Sequence, residues 1–123
     1  MRSSRLLAVA LGGCLLATAA FAASQEEAEE APEEPPVFTD AFLQDQANID
    51  IGKEVWVDQC QHCHGKNAYP GKAPKLKPRR YTADFVFDRV TNGFRKMPGW
   101  KDAYTKEERM GVTAWILSSK FSP

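Results

Sequence analysis

Cys60-Gln61-His62-Cys63-His64 places two thiols and two imidazoles within five consecutive residues. Sulfurs at this spacing can each bond one vinyl group of a porphyrin. The histidine that follows is then delivered against one face of the iron, so the run reads as a covalent haem attachment site. Two other chemistries use similar residues. A thioredoxin-like Cys-x-x-Cys needs a strand–helix setting within a βαβ unit, whereas the residues before Cys60 read as helix and no βαβ alternation follows. A structural zinc site needs four ligands, often in two pairs. Here Cys60, His62, Cys63 and His64 are crowded together, Cys14 lies in a leader, and no second cluster exists.

His64 supplies one axial ligand, which leaves the sixth position to be filled. The other histidine, His62, is held inside the attachment loop by its flanking cysteines and cannot swing to the opposite face. Lysine strongly prefers its proton and water. Beyond the leader the methionines are Met97 and Met110. Met110 lies in a helical pattern with apolar neighbours and reads as core. Met97 lies in the loop Lys96-Met97-Pro98-Gly99, from which an unbranched thioether can reach a metal; the alternative is a gap-filling side chain. His/Met ligation raises the reduction potential and closes the site to small ligands. That suits the movement of one electron and is a poor arrangement for oxygen activation. The second ring nitrogen of His64 needs an orienting acceptor. A backbone carbonyl in the proline-containing loop is expected, Pro74 first and Pro70 second, unless both prolines only shape turns.

The elements that must position these groups are helical. Asn48 or Asp50 can cap a helix over about 49–59, with Ile51, Val55 and Trp56 near one face. Gly52 lies one turn before Trp56, and an interior glycine, which costs about 1 kcal/mol relative to alanine, points to a helix crossing closely there. Residues 65–81 are rich in Gly, Pro and Lys and read as loop. Thr82 can cap a second helix bearing Phe85, Val86, Phe87 and Val90, which ends at Asn92-Gly93. Thr105-Lys106-Glu107-Glu108 is a capping box. The helix after it is expected to run to about residue 119, with Val112, Trp115 and Ile116 on its buried face. The fold predicted is all-α, three main helices and loops wrapped around one planar cofactor.

Arg2 and Arg5, the apolar run 6–16 and the small residues ending Ala20-Phe21-Ala22 read as a secretory signal over residues 1–22. Leu11-Gly12-Gly13-Cys14 also resembles a lipoprotein cleavage box, and the apolar span 6–23 is just long enough for an uncleaved membrane helix. Residues 23–47 form a linker and lead-in. Its stretch 24–36 carries six glutamates and three prolines with no large apolar residue, and is expected to be extended and disordered. Its role is that of a solubilising tail or a tether. The chain balances 16 basic and 16 acidic residues, but residues 37–123 hold 14 basic against 10 acidic, an excess of four. Residues 48–123 are expected to be the functional domain. At that size a protein-only core is marginal, so a buried porphyrin would supply missing apolar filler.

These residues resemble a class I monohaem cytochrome c of the bacterial type, over about residues 48–121. Cys60-Gln61-His62-Cys63-His64-Gly65 matches the family's haem motif. Ala73-Pro74-Lys75-Leu76 resembles the segment whose proline carbonyl accepts from the axial histidine, and Lys96-Met97-Pro98-Gly99 the axial methionine loop. Gly52 and Trp56 match the N-terminal helix face, and Val112 and Trp115 the C-terminal face that crosses it. The interval from His64 to Met97 is shorter than in many members, and the comparison with the family then implies a more exposed haem edge and a somewhat lower potential.

The leader and the resemblance together imply an exported, periplasmic electron shuttle with one covalent haem c, and with no nucleophile–base pair or phosphate loop apparent in the sequence, no catalysis of its own is expected. Membrane association is expected only if the leader is retained or Cys14 is lipidated. A first alternative is a subunit bound to a dehydrogenase or reductase. A second is a haem sensor or peroxidase with an open sixth site. Lys66, Lys72, Lys75, Lys77, Arg79 and Arg80 follow the attachment site without an intervening acid. They form either a solvated loop or a rim for an acidic redox partner. Nucleic acid is not an expected partner.

Overall fold

The computed structural model describes residues 32–122. The leader, and most of the glutamate-rich stretch, lie outside them. Among the described residues every regular element is helical, and pairing of extended backbone is confined to two isolated bridges. The all-α expectation therefore holds.

The chain enters through a short helix α1 (Asp40–Gln44), capped by Thr39, whose hydroxyl accepts from the Phe42 amide at 3.1 Å. It turns at Asp45 and begins α2 (Gln46–Val55). The cap of α2 is Asp45, whose carboxylate accepts from Ala47 N at 2.7 Å, not Asn48 or Asp50. Asp45 has extended backbone angles because α1 ends just before it, and α1 is too short to show as a periodic pattern in the sequence. Helix α2 runs on through a π-helical segment (Trp56–Cys60) into α3 (Gln61–His64). The Gln61 amide bonds the Trp56 carbonyl, one residue further back than in an α-helix. Such an inserted residue rotates everything that follows it, here the two cysteines and His64.

After a loop and a 3-10 turn (Pro78–Arg80), helix α4 (Ala83–Asn92) starts on Thr82, whose hydroxyl accepts from Phe85 N at 3.2 Å. Helix α5 (Lys106–Leu117) opens with both halves of the capping box at Thr105 and Glu108, at 3.2 and 2.8 Å. It stops about two residues short of the expected end.

Helices α2 and α5 cross where Gly52 meets Gly111. A Cβ built on Gly52 would lie 1.9 Å from the Gly111 carbonyl oxygen. The close approach inferred from Gly52 is thus present, and its partner is a second glycine. Ile49, Val55 and Trp56 face the core, together with Val112, Trp115, Ile116 and Phe121. Ile51 does not, being 40% exposed. The face of α2 that enters the core runs through Ile49, Gly52, Val55 and Trp56, which moves Ile51 to the margin of the crossing.

One buried charge ties α5 to α4. Arg109 is 3% exposed. Its Nε donates to the Tyr104 and Thr105 carbonyls at 3.1 and 3.3 Å, and Nη1 to Thr91 Oγ1 at 2.8 Å. The guanidinium also lies 5.2 Å from the Phe87 ring. Hydrogen bonds to a charged group are the strong ones, and stranded buried acceptors add a penalty. Arg109→Met is expected to lower unfolding free energy by about 3 kcal/mol, measured by denaturant titration of the haem-loaded protein. Wild-type stability in this variant would show that the network contributes nothing net.

Candidate haem site

Trp56 is the piece of core on which the attachment segment rests. It is almost fully buried, and its indole Nε1 donates to the Lys66 carbonyl at 2.8 Å. Its ring centroid lies 5.7 Å from that of His64 and 4.7 Å from that of Phe121. The histidine is thereby backed by an apolar wall. His64 Nδ1 is buried without a hydrogen-bond partner. The residue as a whole is half-buried. Burial pushes the His64 pKa below its ordinary 6.5, so the folded chain at neutral pH presents the neutral imidazole, the form that can bind a metal.

The bond expected from His64 to the Pro74 carbonyl is not made in this structure, and Pro70 does not take its place. The proline loop nonetheless closes on the attachment segment. Ala73 N donates to the Cys63 carbonyl at 2.8 Å. A Cβ on Gly65 (φ 83) would sit 1.9 Å from the Pro70 carbonyl oxygen, so glycine is required directly after His64.

Cys60 and Cys63 are both free thiols, Cys60 half-buried and Cys63 exposed. Burial first, then the neighbouring Asp58 and Cys63, pushes the Cys60 thiol up to about 12. As a free thiol it stays protonated and a weak nucleophile at neutral pH. His62 is tied back onto the same helix, its Nε2 2.9 Å from the Asp58 carbonyl. That agrees with its exclusion as a ligand on the far face.

Met97 is half-buried in a tight turn after α4. Its amide and carbonyl both pair with Phe94, at 3.0 and 2.9 Å. Two glycines clamp this turn onto the end of the helix. A Cβ on Gly93 (φ 76) would lie 2.5 Å from the Met97 carbonyl oxygen, and one on Gly99 2.6 Å from that of Thr91. Trp100 N closes the turn on the Val90 carbonyl at 2.9 Å. The following loop is fastened to the attachment segment by Tyr104, whose hydroxyl donates to Asp58 at 2.8 Å. Burial and that bond push the phenol up to about 12. Free sulfurs three residues apart with a half-buried imidazole directly after them are donors that would fit a covalent haem, and the Met97 thioether stands in a clamped turn of its own.

Residues 47–116 match the family described as cytochrome c oxidase, cbb3-type, subunit III. The chain belongs to this cytochrome c family. The cofactor that this family membership carries is covalently bound haem c. It is 35% identical over 72 residues to the 4-cresol dehydrogenase (hydroxylating) cytochrome c subunit of Pseudomonas putida, a match covering 58% of this chain and 62% of that one. The cytochrome thus spans under two thirds of that relative's length. Among solved structures, cytochrome cL of Methylophaga aminisulfidivorans superposes with a TM-score of 0.55 at 20% identity, over 70% of this chain and 69% of that one. The c-type cytochrome NirC gives 0.51 at 19% identity, over 64% and 99%. These two likenesses establish the fold.

Several residues that shape the cytochrome's site carry little signal in sequence. Gly99 and Gly111 look like ordinary loop and helix glycines, Tyr104 like a surface aromatic and Phe121 like part of a tail. Each acts through a partner that only the folded chain brings near.

Proposed function

We propose that this cytochrome is a one-electron carrier in which Cys60 and Cys63 fasten the haem while His64 and Met97 ligate its iron. The observation that carries the reading is the clamped turn at Met97. It holds a half-buried thioether outside any helix, whereas Met110, equally half-buried and not in the core expected for it, lies within α5. Bound haem would supply a reversible ferric/ferrous couple, and Met97 as a ligand would keep small molecules off the iron. The chain's own residues orient the imidazole, fix the thioether and exclude water. The Pro74 carbonyl, next to the Ala73 bond to Cys63, is the proposed acceptor for His64 once the haem is in place.

The spectrum tests the sixth ligand. A sulfur-to-iron charge-transfer band in the ferric protein, with no carbon monoxide binding in the ferrous protein, is expected. Rapid carbon monoxide binding without that band would favour the sensor or peroxidase reading instead.

The proposed setting is the periplasm, reached through a leader cleaved after Ala22, with residues 23–47 as a linker to a domain over 48–123. Among the described residues no helix is long and apolar enough to cross a membrane. We assign the chain no catalysis of its own, since its sequence offers no nucleophile–base pair. Partners are redox proteins, and the basic loop of Lys66, Lys72, Lys75, Lys77, Arg79 and Arg80 is proposed to steer acidic ones. The similarity to a dehydrogenase's cytochrome subunit favours a second reading, in which this chain serves a dehydrogenase directly. Co-purification of a catalytic subunit from native membranes or periplasm separates bound from free carrier.

A further inference from the structure

Helix α4 and the turn after it leave two large aromatic rings exposed. Phe85 is 43% exposed and Phe94 48%. Both occur in positions where arginines stack on them. The Arg89 guanidinium lies 5.0 Å from the Phe85 ring and 4.3 Å from that of Phe94. Arg95 covers Phe94 at 5.1 Å. At the other end the Tyr81 ring is 5.3 Å from Phe85, and its hydroxyl accepts from Lys77 N at 2.9 Å. The result is a continuous ledge, Tyr81–Phe85–Arg89–Phe94–Arg95, running from the 3-10 turn to the Met97 turn.

The ledge faces away from the core. Phe85 and Arg89 share the outer side of α4 with Asp88 and Asn92, which are hydrogen-bonded to one another at 2.9 Å, while Val86, Phe87 and Val90 point inward. It is also positively charged. Asp88 is engaged by Arg89 at 3.3 Å. Arg95 and Lys96 have no carboxylate within ion-pair distance among the described residues. Arg95 has a φ of 55, a left-handed conformation that costs a non-glycine residue of order 1 kcal/mol. The chain holds it there with its guanidinium over Phe94. Exposed aromatics and arginines are the residue types that dominate interface energetics. Phe94 is moreover paired by both backbone hydrogen bonds to Met97.

We propose that this ledge is the contact face for the protein that exchanges electrons with the cytochrome, a partner presenting carboxylates around an apolar centre. The proposal rests on the electron-carrier reading. One electron leaves the reduced partner as one is taken up by this chain, or the reverse, with no bond made or broken at the ledge. The loop cations steer approach, and the ledge sets how long the complex lasts.

The test uses the haem-loaded protein on gold coated with mixed carboxylate- and methyl-terminated alkanethiols, with binding followed by microbalance and electron exchange by voltammetry. Wild type is expected to dissociate more slowly from the mixed layer than from either pure layer. Phe85→Ser with Phe94→Ser, and separately Arg95→Gln, are expected to dissociate about tenfold faster. Lys66→Gln with Lys72→Gln is expected to slow association only. Unchanged dissociation in the ledge variants overturns the proposal. Sedimentation showing a wild-type dimer lost in the ledge variants overturns it too, because the occupant is then a second copy. Loss of the reversible one-electron wave in wild type would instead strike the carrier reading, whatever the ledge does.

Discussion

Replacing Met97 by alanine is expected to lower the reduction potential by about 0.2 V or more, within the roughly 0.8 V range over which axial ligands set haem potentials. The thioether is a soft donor that favours the ferrous state, and water or hydroxide in its place favours the ferric one. The ferric sulfur-to-iron band is expected to vanish, and the ferrous protein to bind carbon monoxide. Stability should change less than potential, because the turn is held by backbone contacts at Gly93, Gly99 and Trp100 that the substitution leaves intact. Potentiometry with optical detection reads these effects. A potential and spectrum equal to wild type would remove Met97 from the iron. Met110→Ala is the natural control and should leave both unchanged.

The second large effect concerns the helix crossing. Gly52→Val is expected to cost at least about 3 kcal/mol, at the upper end for overpacking a tight contact. The first added carbon would lie 1.9 Å from the Gly111 carbonyl oxygen, which is backbone and cannot rotate aside. Helices α2 and α5 must then separate, and α2 leads directly into the attachment segment. Gly111→Ala meets its nearest neighbours, Asn48 O and Gly52 N, at 3.0 Å. It is therefore expected to cost clearly less than Gly52→Ala. Denaturant unfolding of the three variants gives the ranking, and equal costs for the two alanine substitutions would contradict this crossing geometry.

What the sequence discloses, and what it hides, follows from the range of each interaction. Cys-x-x-Cys-His, the Thr82 cap and the Thr105–Glu108 box are local chemistry, complete within a few residues, so their consequences can be read directly. Gly52 is legible because glycine in a helix interior has a cost that something must offset. The start of α2 is misread because a five-residue helix ahead of it shows no periodicity, and Asp45 looks like one acid among several. Ile51 and Ile49 cannot be ranked by spacing alone, since the crossing at Gly111 decides which one is covered. Arg109 is not singled out by the sequence. Its burial depends on carbonyls at Tyr104 and Thr105 and on Thr91 in another helix, none of which α5's own pattern reveals. Phe85 reads only as one of the second helix's apolar positions, and it lies on the outer side because the inner face is already filled by Val86, Phe87 and Val90.

The central claim is that the cofactor is bonded to the chain through Cys60 and Cys63, and intact mass spectrometry of the denatured protein from an export-competent host tests it most directly. The account predicts a polypeptide heavier by one haem, with neither of these sulfurs alkylated by iodoacetamide and haem staining that survives a denaturing gel. A folded, colourless product at the bare polypeptide mass, with both Cys60 and Cys63 open to alkylation, would contradict it.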